Sequence, residues 1–369
     1  MSLGADKNLT DLPIELPSLV FSQLWNRDIK SLRLTCTFLK EIARLRLNRV
    51  FLSANPTNID VFYSIANHNT FRKEITEIIY DDARFASFYG IREFFPDEID
   101  EDAWTDSIKV ARSERPDHIA RTKQINSQPP LKICCQYYQD LLQQQDEVLI
   151  SRSDEEAFIF GLEQFPALKR VTITPAAHGW LYAPLYETHM IRAFPYGFNY
   201  LIPRGWPIHG NLHMPPSAGL WEDMTEREKG QWRGFRIITR ALAQVEHNIS
   251  ELIIDVNQLP TELNCTIFNN PCEEYNNLVT ILSKPGLRRL DLSLIVGGQE
   301  HFGWPAFRDG YIRRALSKAK DLEHFSLSAT LEADPSASLR STVPGGGGSM
   351  AHFIPLQSVF PVLEWPNLQ

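Results

Sequence analysis

The chain has 369 residues, a net charge of −8, and 43 % hydrophobic and 11 % aromatic content. At roughly 150 residues per domain, that length suggests two or three domains, and the composition fills a sizeable core, which excludes wholesale disorder. No stretch approaches the roughly 18 apolar residues of a membrane span, and Met1-Ser2-Leu3-Gly4-Ala5-Asp6-Lys7 lacks the layout of a signal peptide; no membrane association is expected. A pI near 5.7 argues against a nucleic-acid binder. The five cysteines (Cys36, Cys134, Cys135, Cys265 and Cys272) are odd in number and have no C-x-x-C pair. They read as reduced thiols of a cytoplasmic or nuclear protein rather than a disulfide framework or a zinc site.

Residues 9 to 49 read as three short helices. Asp11-Leu12-Pro13 offers a cap and a proline suited to a first turn, and Leu16, Leu19, Val20 and Leu24 follow near helical spacing. Pro17 falls inside that pattern and moves the expected start of regular helix to Pro17. Asn26 is the expected cap of a second helix with Ile29, Leu32 and Arg33, and Thr35 that of a third with Phe38, Leu39, Ile42, Leu45 and Arg49. So small a unit seldom buries enough surface to stand alone, so its leucines are expected to meet another surface.

The string Leu12-Pro13-x-Glu15-Leu16, Val20-Phe21-x-x-Leu24, Asp28-Ile29-x-x-Leu32-Arg33-Leu34-x-Cys36 resembles an F-box over roughly 40 residues. Thr35 stands where an apolar Val is frequent in that family, and Leu39 near where a Trp is. The resemblance implies docking on the Skp-type adaptor of a cullin-based ubiquitin ligase, with Leu12, Pro13, Leu16, Val20, Leu24, Ile29, Leu32, Leu34 and Cys36 facing or supporting the adaptor.

Behind this segment a unit repeats: an amphipathic helix, a turn, and a strand reading apolar-x-x-apolar-x-apolar. Ile75, Ile78 and Tyr80 fit it, as do Leu168, Val171 and Ile173; Ile249, Leu252 and Ile254; Leu287, Leu290 and Leu292; and Leu322, Phe325 and Leu327. The expected helices are Val61 to Phe71, a capping-box helix from Ser153 to Phe165, Glu228 to Val245, and one around Tyr311 to Leu316. Parallel strands joined by helices on one face make a solenoid, and this one resembles the divergent leucine-rich repeats that often follow a fungal-type F-box. The expected fold is therefore α/β: an N-terminal three-helix F-box (1–52) followed by a curved α/β leucine-rich-repeat-like solenoid with long loop insertions (53–369). Trp365-Pro366-Asn367-Leu368 stands at the start of a further strand by the same rule, which reads as the end of a fragment. Gly345 to Ser349 reads as an engineered linker or a natural glycine tract.

Two long insertions interrupt the repeat. The stretch 81–130 is acidic around Asp97 to Asp106. The stretch 175–225 is aromatic, with Trp206 expected to supply apolar anchorage for a target. The strand positions between the apolar ones, Lys169, Arg170, Arg288, Arg289 and His324 among them, are expected to face a target protein, and the adjacent basic residues suggest an acidic or phosphorylated one. His209 and His213 lie among prolines that forbid a helical metal pair. Cys134-Cys135 reads as core of an amphipathic helix with Ile133, Tyr137 and Leu141. No nucleophile elbow, phosphate loop or H-E-x-x-H is present. The expectation is a non-enzymatic substrate receptor without cofactor or metal. The alternative is a repeat scaffold whose F-box-like helices only cap the solenoid.

Overall fold

The computed structural model describes residues 12–85, 123–124, 126–179, 182–203, 206, 218–257, 261–297, 305–308 and 310–330. The acidic Asp97 to Asp106 run, His209 and His213, Gly345 to Ser349 and Trp365 to Leu368 lie outside them.

The N-terminal unit comprises α1 (Glu15–Phe21), α2 (Asn26–Arg33) and α3 (Thr37–Ile42). Pro17 is the third residue of α1, in the first turn, where a missing N–H breaks no helical bond; the helix begins two residues earlier than expected. Asn26 does not cap α2. Its side chain binds both polar backbone groups of Arg46, donating to the carbonyl at 2.6 Å and accepting from the N–H at 2.9 Å. Thr35 likewise caps nothing and donates to the Leu32 carbonyl at 2.8 Å, while α3 starts after Cys36. Phe21, Ile29, Leu39 and Ala43 form the inner cluster, with Leu24, Leu32, Phe38, Ile42 and Leu45 packed around it. Arg46 also donates to the carbonyls of Ser22 and Leu24, tying the end of the unit to the α1–α2 turn.

The third helix does not reach Arg49. Residues Arg49–Ser53 form β1, with Val50 and Leu52 buried at a period of two, so position 52 falls inside the first strand. Leu39, Ile42, Leu45 and Arg49 satisfy a helical spacing as well, which hid the change of period.

The remaining strands are β2 (Glu77–Asp81), β3 (Arg170–Thr174), β4 (Glu251–Ile254), β5 (Leu263–Asn264), β6 (Arg289–Ile295) and β7 (His324–Thr330). They make one parallel sheet, ordered β1-β2-β3-β4-β6, with β5 and β7 also pairing β6. Val50, Ile78, Val171, Leu252, Leu290 and Phe325 form one continuous register row across six strands. The expectation that the last five of these lie on successive parallel strands therefore holds.

Strands β2, β3, β4, β6 and β7 are each entered by the same step. The carbonyl just ahead of one strand accepts two successive N–H groups opening the next: Asn48 from Thr76 and Glu77, Thr76 from Lys169 and Arg170, Lys169 from Ser250 and Glu251, Ser250 from Arg288 and Arg289, Arg288 from Glu323 and His324. The recurrence sets all these strands in one register.

Helices α4 (Pro56–Ala66), α6 (Ser153–Gln164), α9 (Arg233–Gln244), α10 (Glu273–Ser283) and α12 (Tyr311–Leu316) pack neighbour to neighbour. Their apolar sides share one core with Val50, Ile78, Val171, Leu252 and Leu290. The expected box at Ser153 is not formed: α6 follows Arg152, which has φ 58° and lends no capping side chain. A capping box forms instead at Thr225–Glu228, opening the short α8 (Glu226–Lys229) ahead of α9. A second core gathers α5 (Leu131–Ser151), α7 (His189–Arg192) and residues 194–202, with Cys134, Tyr138, Leu141, Met190, Phe198 and Tyr200 buried. Ile133, expected inside, is exposed, and Tyr138 rather than Tyr137 is the fully buried tyrosine. A short helix, α11 (Pro305–Arg308), precedes α12.

Candidate functional site

Two surfaces carry the chemistry expected of a binding protein. The first is the outside of the N-terminal unit. Leu12, Ile14, Leu16, Leu19, Val20, Trp25 and Leu34 are exposed, seven of the ten large exposed hydrophobic side chains among the described residues. At about 100° per residue, Leu16, Leu19 and Val20 fall in one arc of α1, turned away from the buried Pro17 and Phe21. Monomeric soluble proteins seldom concentrate apolar exposure in this way. The nine residues expected from the F-box resemblance to face or support an adaptor divide accordingly. Leu12, Pro13, Leu16, Val20, Leu34 and Cys36 face solvent, Leu24 and Leu32 are half-buried, and Ile29 lies wholly inside, where it supports the helices. Ile14, Leu19 and Trp25 fall between the motif positions and outside the expected adaptor-facing set, although Leu19 stands in the apolar pattern of the first helix.

The second surface is the face of the sheet opposite the helices. Side chains alternate along a strand, so Arg170, Thr172, Arg289, Asp291, His324 and Ser326 share this face. Lys169, Arg288 and Glu323 do not: they precede the strands, at the parity of Val171 and Leu290, and their backbone builds the recurring step. Lys169 and Arg288 are exposed there, with Arg288 3.5 Å from Glu323. This corrects the expectation that all these basic residues converge on one face.

Across the strands, the first row of the face runs Arg49, Glu77, Arg170, Glu251, Arg289, His324, alternating in sign over its first five members. Arg170 binds Glu251 through Nε at 2.8 Å and a terminal nitrogen at 2.7 Å. Arg289 pairs with Asp291 at 2.6 Å, His324 lies 3.5 Å from the same carboxylate, and Arg49 lies 3.7 Å from Glu77. Thr172 donates to Glu77 at 2.8 Å. The Arg289 guanidinium is held more firmly protonated than usual by its hydrogen bond to Asp291. Above this row lies a groove of about 400 Å³ lined by Glu77, Arg170, Thr172, Tyr186, Asp291 and Ser326, among others. Tyr186 rests against Phe51 and donates to Asp255 at 3.2 Å, and burial, with Asp255 beside it, pushes its phenol far up. The arginines here are matched by carboxylates within the same face, so the groove is not a cationic one.

Trp206 does not belong to either surface. It is 2 % exposed, and its Nε1 donates to Asp82 Oδ2 at 2.7 Å. Asp82 also accepts from the Gly234 N–H at 2.9 Å, at the start of α9. A Cβ on Gly234 would lie 2.7 Å from both the Asp82 carboxyl carbon and the Tyr80 ring, so the residue must be glycine for the helix to come this close. The indole is a buried wedge with its N–H satisfied, not an anchor for a target. Much of the aromatic stretch behaves likewise: Phe194, Phe198 and Tyr200 stack among themselves and around His178. Beside them, Asp81 is fully buried at the end of β2, with Oδ2 4.0 Å from His178 Nε2, and burial raises its carboxyl to about 8.

Among the described residues no cluster of three or more His, Cys, Asp or Glu side chains is placed to hold a metal ion, and no helix is long and apolar enough to cross a membrane. Burial raises the thiols of Cys134, Cys265 and Cys272, opposite to what an activated nucleophile requires. Comparison with known proteins returned no match: no family model, no curated protein and no solved structure aligns with the chain.

Proposed function

We propose that this chain is a non-catalytic substrate receptor of a cullin-type ubiquitin ligase, in which residues 12–48 act as an F-box on a Skp-type adaptor and the sheet domain, a leucine-rich-repeat-like solenoid, holds a target protein. The observation that carries this reading is the concentration of exposed apolar side chains on α1 and at both ends of α2. If those helices served only to cap the repeat, their apolar surface would be turned inward. Instead, the inner cluster of Phe21, Ile29, Leu39 and Ala43 closes on itself, and the α1 stripe faces solvent. The repeating step and the six-strand register support a solenoid.

The target surface is the polar face of the sheet, with Arg170 and Arg289 lining its groove and His324 beside Arg289 in the same row. Because each arginine already has a carboxylate neighbour, the reading for the target is a segment of mixed charge that exchanges ion pairs with the row, rather than a purely acidic or phosphorylated one. The cellular setting of such a ligase is cytoplasmic or nuclear.

The test uses Leu16→Asp, at an exposed position. Leu24 is less suitable because it packs on the inner cluster. An unpaired charge in an apolar contact costs several kcal/mol, so the variant is expected to fold with unchanged circular dichroism and to lose co-purification with the adaptor. Full retention of the adaptor by a folded Leu16→Asp protein refutes the docking role.

A further inference from the structure

This inference rests on the adaptor reading and adds the chemistry of the surface that meets it. Residues 12–48 carry Arg27, Lys30, Arg33, Lys40, Arg44 and Arg46 against Glu15, Asp28 and Glu41, a surplus of three positive charges in a chain of net charge −8. Arg33 and Arg46 are held by backbone carbonyls within the unit. Arg27 and Lys30, by contrast, are exposed on α2. Elsewhere, Arg170, Arg233, Arg236 and Arg289 are neutralised by carboxylates of their own domain.

Trp25, the residue immediately before α2, is 81 % exposed, whereas Trp206, Trp221 and Trp232 are each buried. A tryptophan offers on the order of 200 Å² of surface to bury, and tryptophan is among the residue types most enriched where binding energy concentrates. Arg27 and Lys30 lie on the helix that Trp25 precedes, about 60° apart at 100° per residue, with Asp28 between them in sequence.

We propose that Trp25 is the anchor of the adaptor interface, seated in an apolar pocket of the adaptor, and that adaptor carboxylates meet Arg27 and Lys30 on α2. The α1 stripe supplies the surrounding apolar contact. The two components separate kinetically. Complementary charge accelerates encounter and is screened by salt, whereas a desolvated aromatic anchor governs how long the complex lasts.

The experiment measures association and dissociation rates of the full chain with a purified Skp-type adaptor at low and high salt, for the parent, Trp25→Ala, Trp25→Phe and Arg27→Glu/Lys30→Glu. Trp25→Ala is expected to dissociate about 30-fold faster with association nearly unchanged, and Trp25→Phe to recover part of that loss. The double charge reversal is expected to slow association about tenfold at low salt and to flatten its salt dependence. Circular dichroism and thermal midpoints equal to the parent's certify the fold. If the parent binds but Trp25→Ala dissociates within about twofold of it, the anchor assignment falls; if association is insensitive to salt, the charge assignment falls; in either case the docking reading stands. If the parent binds no adaptor at all, both fall.

Discussion

Two buried carboxylates illustrate how differently the same group behaves in this core. Asp154 on α6 accepts from the Tyr80 hydroxyl at 2.6 Å and takes a two-pronged bond from Arg233, at 2.5 and 2.9 Å. Burial pulls the Arg233 guanidinium toward neutrality, but Tyr80 and Asp154 outweigh it and the net direction is upward. Removing one partner of such a set strands the other, which typically costs about 3–5 kcal/mol. Asp154→Ala is therefore expected to lower the unfolding free energy from urea titration by that order, and a loss below about 1 kcal/mol would show that Arg233 finds solvent instead. Asp81 has no such compensation. Its Oδ1 accepts from the Ala83 N–H at 2.9 Å, while Oδ2 makes no hydrogen bond. Its folded pKa, about 8, lies above the unfolded carboxylate value. The stability tied to its protonated form is thus fully present below about pH 4 and is lost as pH rises through 8, with a slope approaching ~1.4 kcal/mol per pH unit between. Asp81→Asn keeps the acceptor for Ala83 and cannot ionise. Denaturation midpoints are expected to fall from pH 5 to 8 in the parent and to fall less steeply in the variant, where the buried Asp82 still titrates from a raised position; parallel curves would refute the assignment.

At the scale of elements, the close approach of α4 and α6 depends on Gly161. A Cβ there would stand 2.4 Å from Phe62 Cζ and 2.9 Å from Cε1, so the ring, itself packed edge-on against Phe165, would have to move. Alanine gains about 1 kcal/mol of helix propensity but overpacks the contact by about 1–3. Gly161→Ala is expected to be net destabilising by thermal melting, the reverse of the usual outcome for glycine in a helix. Strands β2, β3, β4, β6 and β7 were legible because each carries the same apolar spacing, and α9 because Trp232, Phe235, Ile238 and Leu242 recur on one side. β1 was not, since its first residue, Arg49, also fits the spacing of the helix before it. Nor was the pairing of the arginines: Arg170 and Glu251 are 81 residues apart, and only the strand register makes them neighbours. Of the expected binding residues, exposure agrees with Leu12, Leu16, Val20 and Leu34 and disagrees with Trp206, because an aromatic loop reads alike whether its rings point out or in.

At the scale of the whole molecule, the cores are unequal. The sheet and its helices share one large cluster, while the N-terminal unit rests on Phe21, Ile29, Leu39 and Ala43. Opening free energies follow buried apolar contact. Backbone amides of α1–α3 are therefore expected to exchange with deuterium well before those of β3, β4 and β6, and adaptor binding to slow exchange in α1 and α2 selectively. Uniform protection across the chain would contradict this division.

The alternating row Arg49, Glu77, Arg170, Glu251, Arg289 has a consequence for assembly. Strands built on one apolar pattern are nearly interchangeable partners, and a parallel sheet of them could close in the wrong order. With signs alternating, any pairing that skips one strand, β1 on β3, β2 on β4 or β3 on β6, sets like charges side by side, whereas the native order meets opposite charges at every junction. Each junction is worth at most about 1 kcal/mol, but the row acts as a parity check written along the chain, rejecting transposed strands that the hydrophobic pattern alone would accept.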